Sequence, residues 1–220
     1  MSGTQDSQIR DVALFLNGVY QRLPEPCYVP ILAVAREGKS RAMLMVDVSD
    51  SLLPPGDVPV PPADIEQYLD HLAILHAHFM GDESLEDAAL GLCSRHDSIM
   101  VLSPAAARRT LELGQEEEFM CTIISGWEMF EKVAPVEAVR IIKNLQQDLQ
   151  PVLSALADGP RTLLHGDYKF AHLGTMNGVR TIMLDWAAVT FGPPLPDLGW
   201  FLAVNYVSIL SQKSDIFYVL

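Results

Sequence analysis

Apolar positions recur with two periods along this chain of 220 residues, and the changes of period mark its organisation. Over residues 8–22 (QIRDVALFLNGVYQR), Ile9, Val12, Phe15, Leu16 and Val19 fall at helical spacing. The pattern predicts an amphipathic helix that stops before Pro24 and Pro26. Residues 28–35 and 42–48 then read as two strands around a turn at Glu37-Gly38-Lys39, which makes a hairpin. Residues 50–62 carry five prolines and a glycine, the composition of a connecting segment. A strong helical pattern follows over 62–80, with Ile65, Leu69, Leu72, Ala73, Leu75, His76 and Phe79 on one broad face. Further helices are expected over 84–92, 104–113 and 115–131. A long one is expected over 135–157, striped by Val139, Ile142, Leu145, Leu149, Val152, Leu153 and Leu156.

At Asp158-Gly159-Pro160 the chain changes character. The short apolar piece 162–164 runs into His165-Gly166-Asp167. Residues 173–175 are extended, Asn177-Gly178 signals a tight hairpin turn, and 181–184 return as a strand ending at Asp185-Trp186. A Gly-Pro-Pro loop then leads into a helix over 196–210. The hairpin lays 180–184 antiparallel to 172–175, so Asp185 returns close to the loop that begins at Asp167. Two carboxylates at neighbouring loop ends suit phosphoryl transfer: one orients or deprotonates an attacking hydroxyl, and the other holds a magnesium ion bridging the phosphates. The plainer alternative is a pair of turn-capping carboxylates.

Charge narrows the partners. Fifteen basic against 28 acidic residues give a formal net charge of −13, which repels nucleic acid and anionic lipid and favours a cationic small molecule. Glu116-Glu117-Glu118 reads as a solvated helix start, or as a lure for such a cation. Cys27, Cys93 and Cys121 form no CxxC pair, which fits a reducing, cytoplasmic setting. The first residues have no apolar signal core, and no apolar run is long enough to span a bilayer. His71, His76 and His78 lack a metal-binding spacing and read as packing or surface residues; Trp127, Trp186 and Trp200 read as core.

HGDYKFAHLGT and IMLDWAAVTFGPPLPDLGWFLAVN together resemble the aminoglycoside phosphotransferase/choline-kinase-like family. Upstream, LAILHAHF (72–79) and the 8–22 helix followed by LPEP are similar to that family's large-lobe and small-lobe helices. The resemblance implies an α+β, protein-kinase-like fold of two lobes. Residues 1–49 would form a reduced N-lobe of one helix and a hairpin, 50–61 the connection, and 62–220 a mainly helical C-lobe with its catalytic hairpin at 165–186. It implies transfer of the γ-phosphate of ATP to a hydroxyl of a small molecule. Asp167 then matches the catalytic base, with Lys169 placed to touch the transferred phosphate. Asp185 matches the magnesium ligand. Asp197 matches a structural residue bracing His165-Gly166. Val46, Asp47, Val48 and Ser49 match the connection that hydrogen-bonds adenine.

The chain departs from the family pattern in three places. His172 stands where the family has asparagine; imidazole is softer than an amide oxygen, so Mn²⁺ or Zn²⁺ joins Mg²⁺ as an expected ion, unless His172 only hydrogen-bonds a carboxylate. No G-x-G loop or phosphate-anchoring lysine precedes the first helix, so Asp11 has no basic partner and Lys39 is a poor substitute. Relative to the family, both ends look cut, the C-terminal one at Phe217-Tyr218-Val219-Leu220. A second reading therefore stands beside the enzyme: a degenerate kinase-like module that binds a ligand or a protein partner. The open edge of its two-stranded sheet would invite a second copy or a completing segment.

Overall fold

The computed structural model describes residues 7–38, 40–54, 59–114, 117–157 and 159–205. By internal contacts it resolves into two compact units, residues 1–93 with 160–220, and residues 94–159. The mixed α+β class is as expected.

The first unit opens with helix α1, Ser7–Leu16. The expected helix to residue 22 is cut short because Asn17-Gly18 takes the chain through φ 74° at Gly18; a separate 3₁₀ turn, Tyr20–Arg22, follows. Val12 and Val19 face the core as expected, joined by Leu14, while Leu16, expected on the same face, is exposed. The predicted strand 28–35 is two strands in two sheets. Pro30 has no N–H to give a ladder, and it separates β1 (Cys27–Tyr28) from β2 (Ile31–Glu37). β2 pairs antiparallel with β3, Ser40–Met45, which ends three residues before the expected 48. The hairpin itself is present, with Gly38 at φ 56°; Lys39 lies outside the described residues.

Helix α2, Pro62–His78, begins with proline at the position where its missing N–H costs nothing. Its buried face is Ile65, Tyr68, Leu72, Leu75 and His76, with Tyr68 serving where Ala73 was expected. The first four of these side chains join Leu14, Val19, Leu163, Tyr168, Leu173, Met183, Trp186 and Phe201 in one core. The helix expected over 84–92 is instead two 3₁₀ turns, Glu83–Glu86 and Ala88–Leu90. Asp82 and Asp87 each accept a backbone N–H two residues on, the local bond that competes with helix.

The C-terminal part of this unit carries the remaining strands. β4 (Thr162–Leu164) pairs antiparallel with β7 (Thr190–Gly192). β5 (Leu173–Met176) and β6 (Arg180–Met183) form the predicted hairpin around Asn177 and Gly178, both at positive φ as an Asn-Gly turn requires. β1 adds to it in parallel, giving the order β1-β6-β5. The proline-rich segment is fastened at its start: Leu52 bridges Gly174, and Leu53 N–H donates to Leu173 O at 3.2 Å. Helix α8, Leu195–Val204, closes the unit; residues beyond 205, including the apolar 217–220 end, lie outside the described residues.

The second unit is helical. It holds α3 (Arg95–Met100), unforeseen from the sequence, then α4 (Pro104–Glu112), α5 (Glu117–Val133), α6 (Val136–Gln147) and α7 (Gln150–Ala157). The single helix expected over 135–157 breaks at Asp148, whose carboxylate accepts Gln150 N–H at 2.9 Å; Pro151 then has no N–H to continue the ladder. The stripe survives the break, with Leu149 buried and its six partners half-buried. Trp127 is half-buried and donates to Leu102 O at 2.8 Å. Glu117 and Glu118 are exposed in the first turn of α5; Glu116 lies outside the described residues. Among the described residues no helix is long and apolar enough to cross a membrane.

The contact at Gly174 makes a direct test. A β-carbon there would fall inside the contact distance of Ser51 O, which is backbone and cannot swing away. Gly174→Ala is expected to cost about 2–3 kcal/mol in urea denaturation. Gly126→Ala, with open space around it in α5, is expected to gain roughly 0.5–1 kcal/mol.

Candidate active site

β4 delivers the chain to His165-Gly166, and this turn is held by one carboxylate. Asp197, 1% exposed in the first turn of α8, accepts His165 N–H through Oδ2 and Gly166 N–H through Oδ1, both at 2.8 Å. His76 Nε2 lies 3.1 Å from the same Oδ2, so that nitrogen carries the hydrogen. The bracing geometry expected of Asp197 is therefore present. It is not the N-cap, a position held by Pro194. His76, read from sequence as a packing or surface residue, is a buried partner of this carboxylate; His71, likewise, bonds Thr181 Oγ1 at 2.7 Å. Gly166 sits at φ 82° with Ala188 O where a β-carbon would go, so only glycine fits.

His165 is wholly buried against Tyr168 and Trp186, with ring centroids 5.7 and 4.6 Å away. Asp167 N–H points to its Nδ1 at 3.3 Å, which leaves the hydrogen on Nε2, buried with no partner. Burial holds its pKa down to about 4, against the opposing charges of Asp197 and Asp167.

The turn projects Asp167, and each oxygen of its carboxylate accepts one hydrogen bond. Oδ1 accepts from Trp200 Nε1 at 2.7 Å, and Oδ2 accepts from Lys169 Nζ at 2.8 Å. His172 closes the 3₁₀ turn Phe170–His172, with Nδ1 3.2 Å from Asp167 O and 3.4 Å from Asp167 Oδ2. His172 O accepts Leu184 N–H, tying the loop to the far strand of the hairpin. There Asp185 adopts φ 59°, ψ 71°, a left-handed conformation unusual for a residue with a β-carbon, and its Oδ1 accepts Ala187 N–H at 3.3 Å. Its Oδ2 stands 3.5 Å from His172 Nε2. One ligand atom each from Asp167, His172 and Asp185 lies within 4.8 Å of the others, the convergence the hairpin predicted.

A cavity of about 370 Å³ opens beside Asp185, walled by Val29, Ile31, Met43, Met45, Met183, Leu184, Trp186 and Ala187, with Asp11 on its edge. Asp11, which has no basic partner in the sequence, accepts from Tyr20 Oη at 2.6 Å. Burial raises its pKa; the Tyr20 bond opposes this and the Asp185 charge adds to it. Its neighbour Arg10 donates to Ala187 O at 2.5 Å and Gly91 O at 3.0 Å, fastening α1 to the loop after Asp185. Val46, Asp47, Val48 and Ser49 are not among the cavity walls. Val46 N–H is bonded to Pro30 O, and the Asp47 carboxylate accepts from Ser49 N–H and Oγ.

Trp200, taken from sequence for core, is a half-buried partner of Asp167. The signal was available: it lies three positions after Asp197 on one helix face. Trp186 is core, fully buried, with Nε1 bonded to Met183 O.

A family model described as the phosphotransferase enzyme family (APH) matches residues 56–214. Among solved structures, the crystal structure of a thermostable mutant of aminoglycoside phosphotransferase APH(4)-Ia in its apo form is similar, at 13% identity and a TM-score of 0.46. That alignment covers 96% of this chain and 67% of the other. No curated protein matches.

Two stability measurements follow from this geometry. Asp197→Ala strands the His165, Gly166 and His76 donors and is expected to cost about 3–5 kcal/mol by urea denaturation. For His165 the folded pKa lies near 4, below the ordinary value of 6.5. Its contribution is thus complete above pH 6.5 and is lost as pH falls toward 4, where only the unfolded chain takes up the proton. The stability difference between wild type and His165→Gln should shrink by on the order of 3 kcal/mol between pH 7 and pH 4.

Proposed function

The chain belongs to the phosphotransferase enzyme family, whose pattern spans residues 56–214, and on that premise we propose that it transfers the terminal phosphate of ATP to a hydroxyl of a small molecule. The convergence of Asp167, His172 and Asp185 on one point carries the reading. Asp167 is the proton acceptor. Trp200 fixes Oδ1 and thereby the plane of the carboxylate, and the second lone pair of Oδ2, beside the Lys169 ammonium, meets the incoming hydroxyl. Lys169, bonded to that same oxygen, stands ready to turn its charge toward the transferred phosphate.

A divalent cation fits the donor set, two carboxylates and an imidazole on one spot, with His172 and Asp185 as the residues that would hold it. Such an ion supplies charge neutralisation for the phosphates. The apolar walls of the neighbouring cavity suit a flat base, with the cavity opening toward Asp185. Val46–Ser49 serve the nucleotide only through backbone groups still free, since two of their N–H groups are already bonded. The net charge of −13 favours a cationic acceptor, and a nucleotide donor with cysteines in no CxxC pair fits the cytoplasm.

One observation favours a second reading, a ligand-binding module without turnover. The buried Asp11 carboxylate beside the cavity is partnered by a tyrosine and not by a cation that would clamp phosphates. Radiolabelled phosphate transfer from ATP to a panel of amino sugars, choline-like alcohols and sugars separates the two. Asp167→Asn is expected to lower kcat by about 100- to 1,000-fold with nucleotide affinity unchanged. Wild-type protein that is stabilised by ATP with a divalent ion, yet transfers to no acceptor and hydrolyses nothing, would establish the second reading instead.

A further inference from the structure

The surroundings of His172 fix its tautomer. Nδ1 faces only acceptors, Asp167 O at 3.2 Å and Asp167 Oδ2 at 3.4 Å, so it carries the hydrogen. In the neutral ring Nε2 is then bare, and it stands 3.5 Å from Asp185 Oδ2. A lone pair facing a carboxylate oxygen at that distance is repulsive unless a proton or a metal cation lies between them, and the two compete for the same place. The backbone maintains this opposition. Asp185 is held left-handed at φ 59°, its other oxygen is occupied by Ala187 N–H, and Leu184 N–H is bonded to His172 O, which locks the two residues across the hairpin.

We infer that His172 Nε2 and Asp185 Oδ2 bind a divalent ion of the first transition series, manganese(II) or cobalt(II), in preference to magnesium. A histidine that donates one ring N–H to a backbone carbonyl presents the other nitrogen as an oriented ligand. Imidazole nitrogen suits first-row transition ions, whereas magnesium demands oxygen and sheds its water reluctantly. The side chains are 17% and 49% exposed, so the pair is sheltered yet open on the carboxylate side, where water and phosphate oxygens complete the coordination. The inference deepens the phosphotransfer reading and rests on it for the ion's use. Metal binding is measured without nucleotide, so an inactive protein that binds manganese in this way defeats that reading and keeps this one.

The test uses the full chain after chelator dialysis. Manganese binding is followed by loss of the free-ion electron paramagnetic resonance signal, with magnesium as competitor, and the bound ion is examined for nitrogen modulation by pulsed methods. Magnesium is expected to displace half the manganese only at about 30-fold excess or more, with imidazole nitrogen modulation present. His172→Asn is expected to cut that ratio about tenfold and abolish the modulation, with an unchanged circular dichroism spectrum. Absence of manganese binding, absence of modulation in wild type, equal competition by magnesium, or an unchanged ratio in His172→Asn would each overturn the inference. Should His172→Asn fail to fold, the wild-type modulation decides alone.

Discussion

The geometry of the candidate site depends on one buried carboxylate. Asp197 gathers the N–H groups of His165 and Gly166 and the ring of His76 within 3.1 Å. A charge so deeply buried is tolerable only when donors surround it, and three of them come from two other elements. The consequence is a turn whose shape is set from behind. The carboxylate draws the two amides inward, Gly166 passes against Ala188 where no side chain fits, and Asp167 is left on the opposite side facing the hairpin.

The electrostatics of the site follow from crowding. Asp11, Asp167 and Asp185 belong to a chain already carrying −13, and each is managed differently. Asp167 is shared by an ammonium and an indole. Asp11 is buried with a tyrosine hydroxyl and held above its ordinary pKa. Asp185 stays half-exposed with one oxygen unspent. Of Asp167 and Asp185, only Asp185 keeps an oxygen with no hydrogen-bond donor from the chain on it, and His172 faces that oxygen. The neighbouring positive charge is a backbone tool: Arg10 spends its guanidinium on the carbonyls of Gly91 and Ala187, fixing the loop that follows Asp185 without touching a carboxylate.

What the sequence made legible were features with local causes. The Asn-Gly turn fixed the hairpin register, and the register brought Asp167, His172 and Asp185 together. The bracing geometry of Asp197 was likewise readable by resemblance. Errors arose where a local bond competed with a periodic pattern. Asp148 and Asp87 cap turns inside stretches that look helical, Gly18 ends α1 early, and Pro30 splits a strand between two sheets. The roles of His76 and Tyr20 were invisible for another reason. Each is a large, half-apolar residue whose bonding atom matters only once a partner 121 or 9 positions away is placed.

The parallel pairing of β1 with β6 has a bearing on how the protein comes into being. Arg180 Nε reaches Glu25 O across 155 positions, and its guanidinium lies 4.9 Å from the Tyr28 ring. During synthesis the first strand therefore leaves the ribosome long before the strand it joins, and Asp197 later still. At ordinary elongation rates of about 5–20 residues per second that is a wait of many seconds with apolar surface uncovered. Contacts of such long sequence separation also close slowly, because the loop entropy is lost before the pairing returns it. The site thus cannot close until residue 197 has been made, well over a hundred residues after β1.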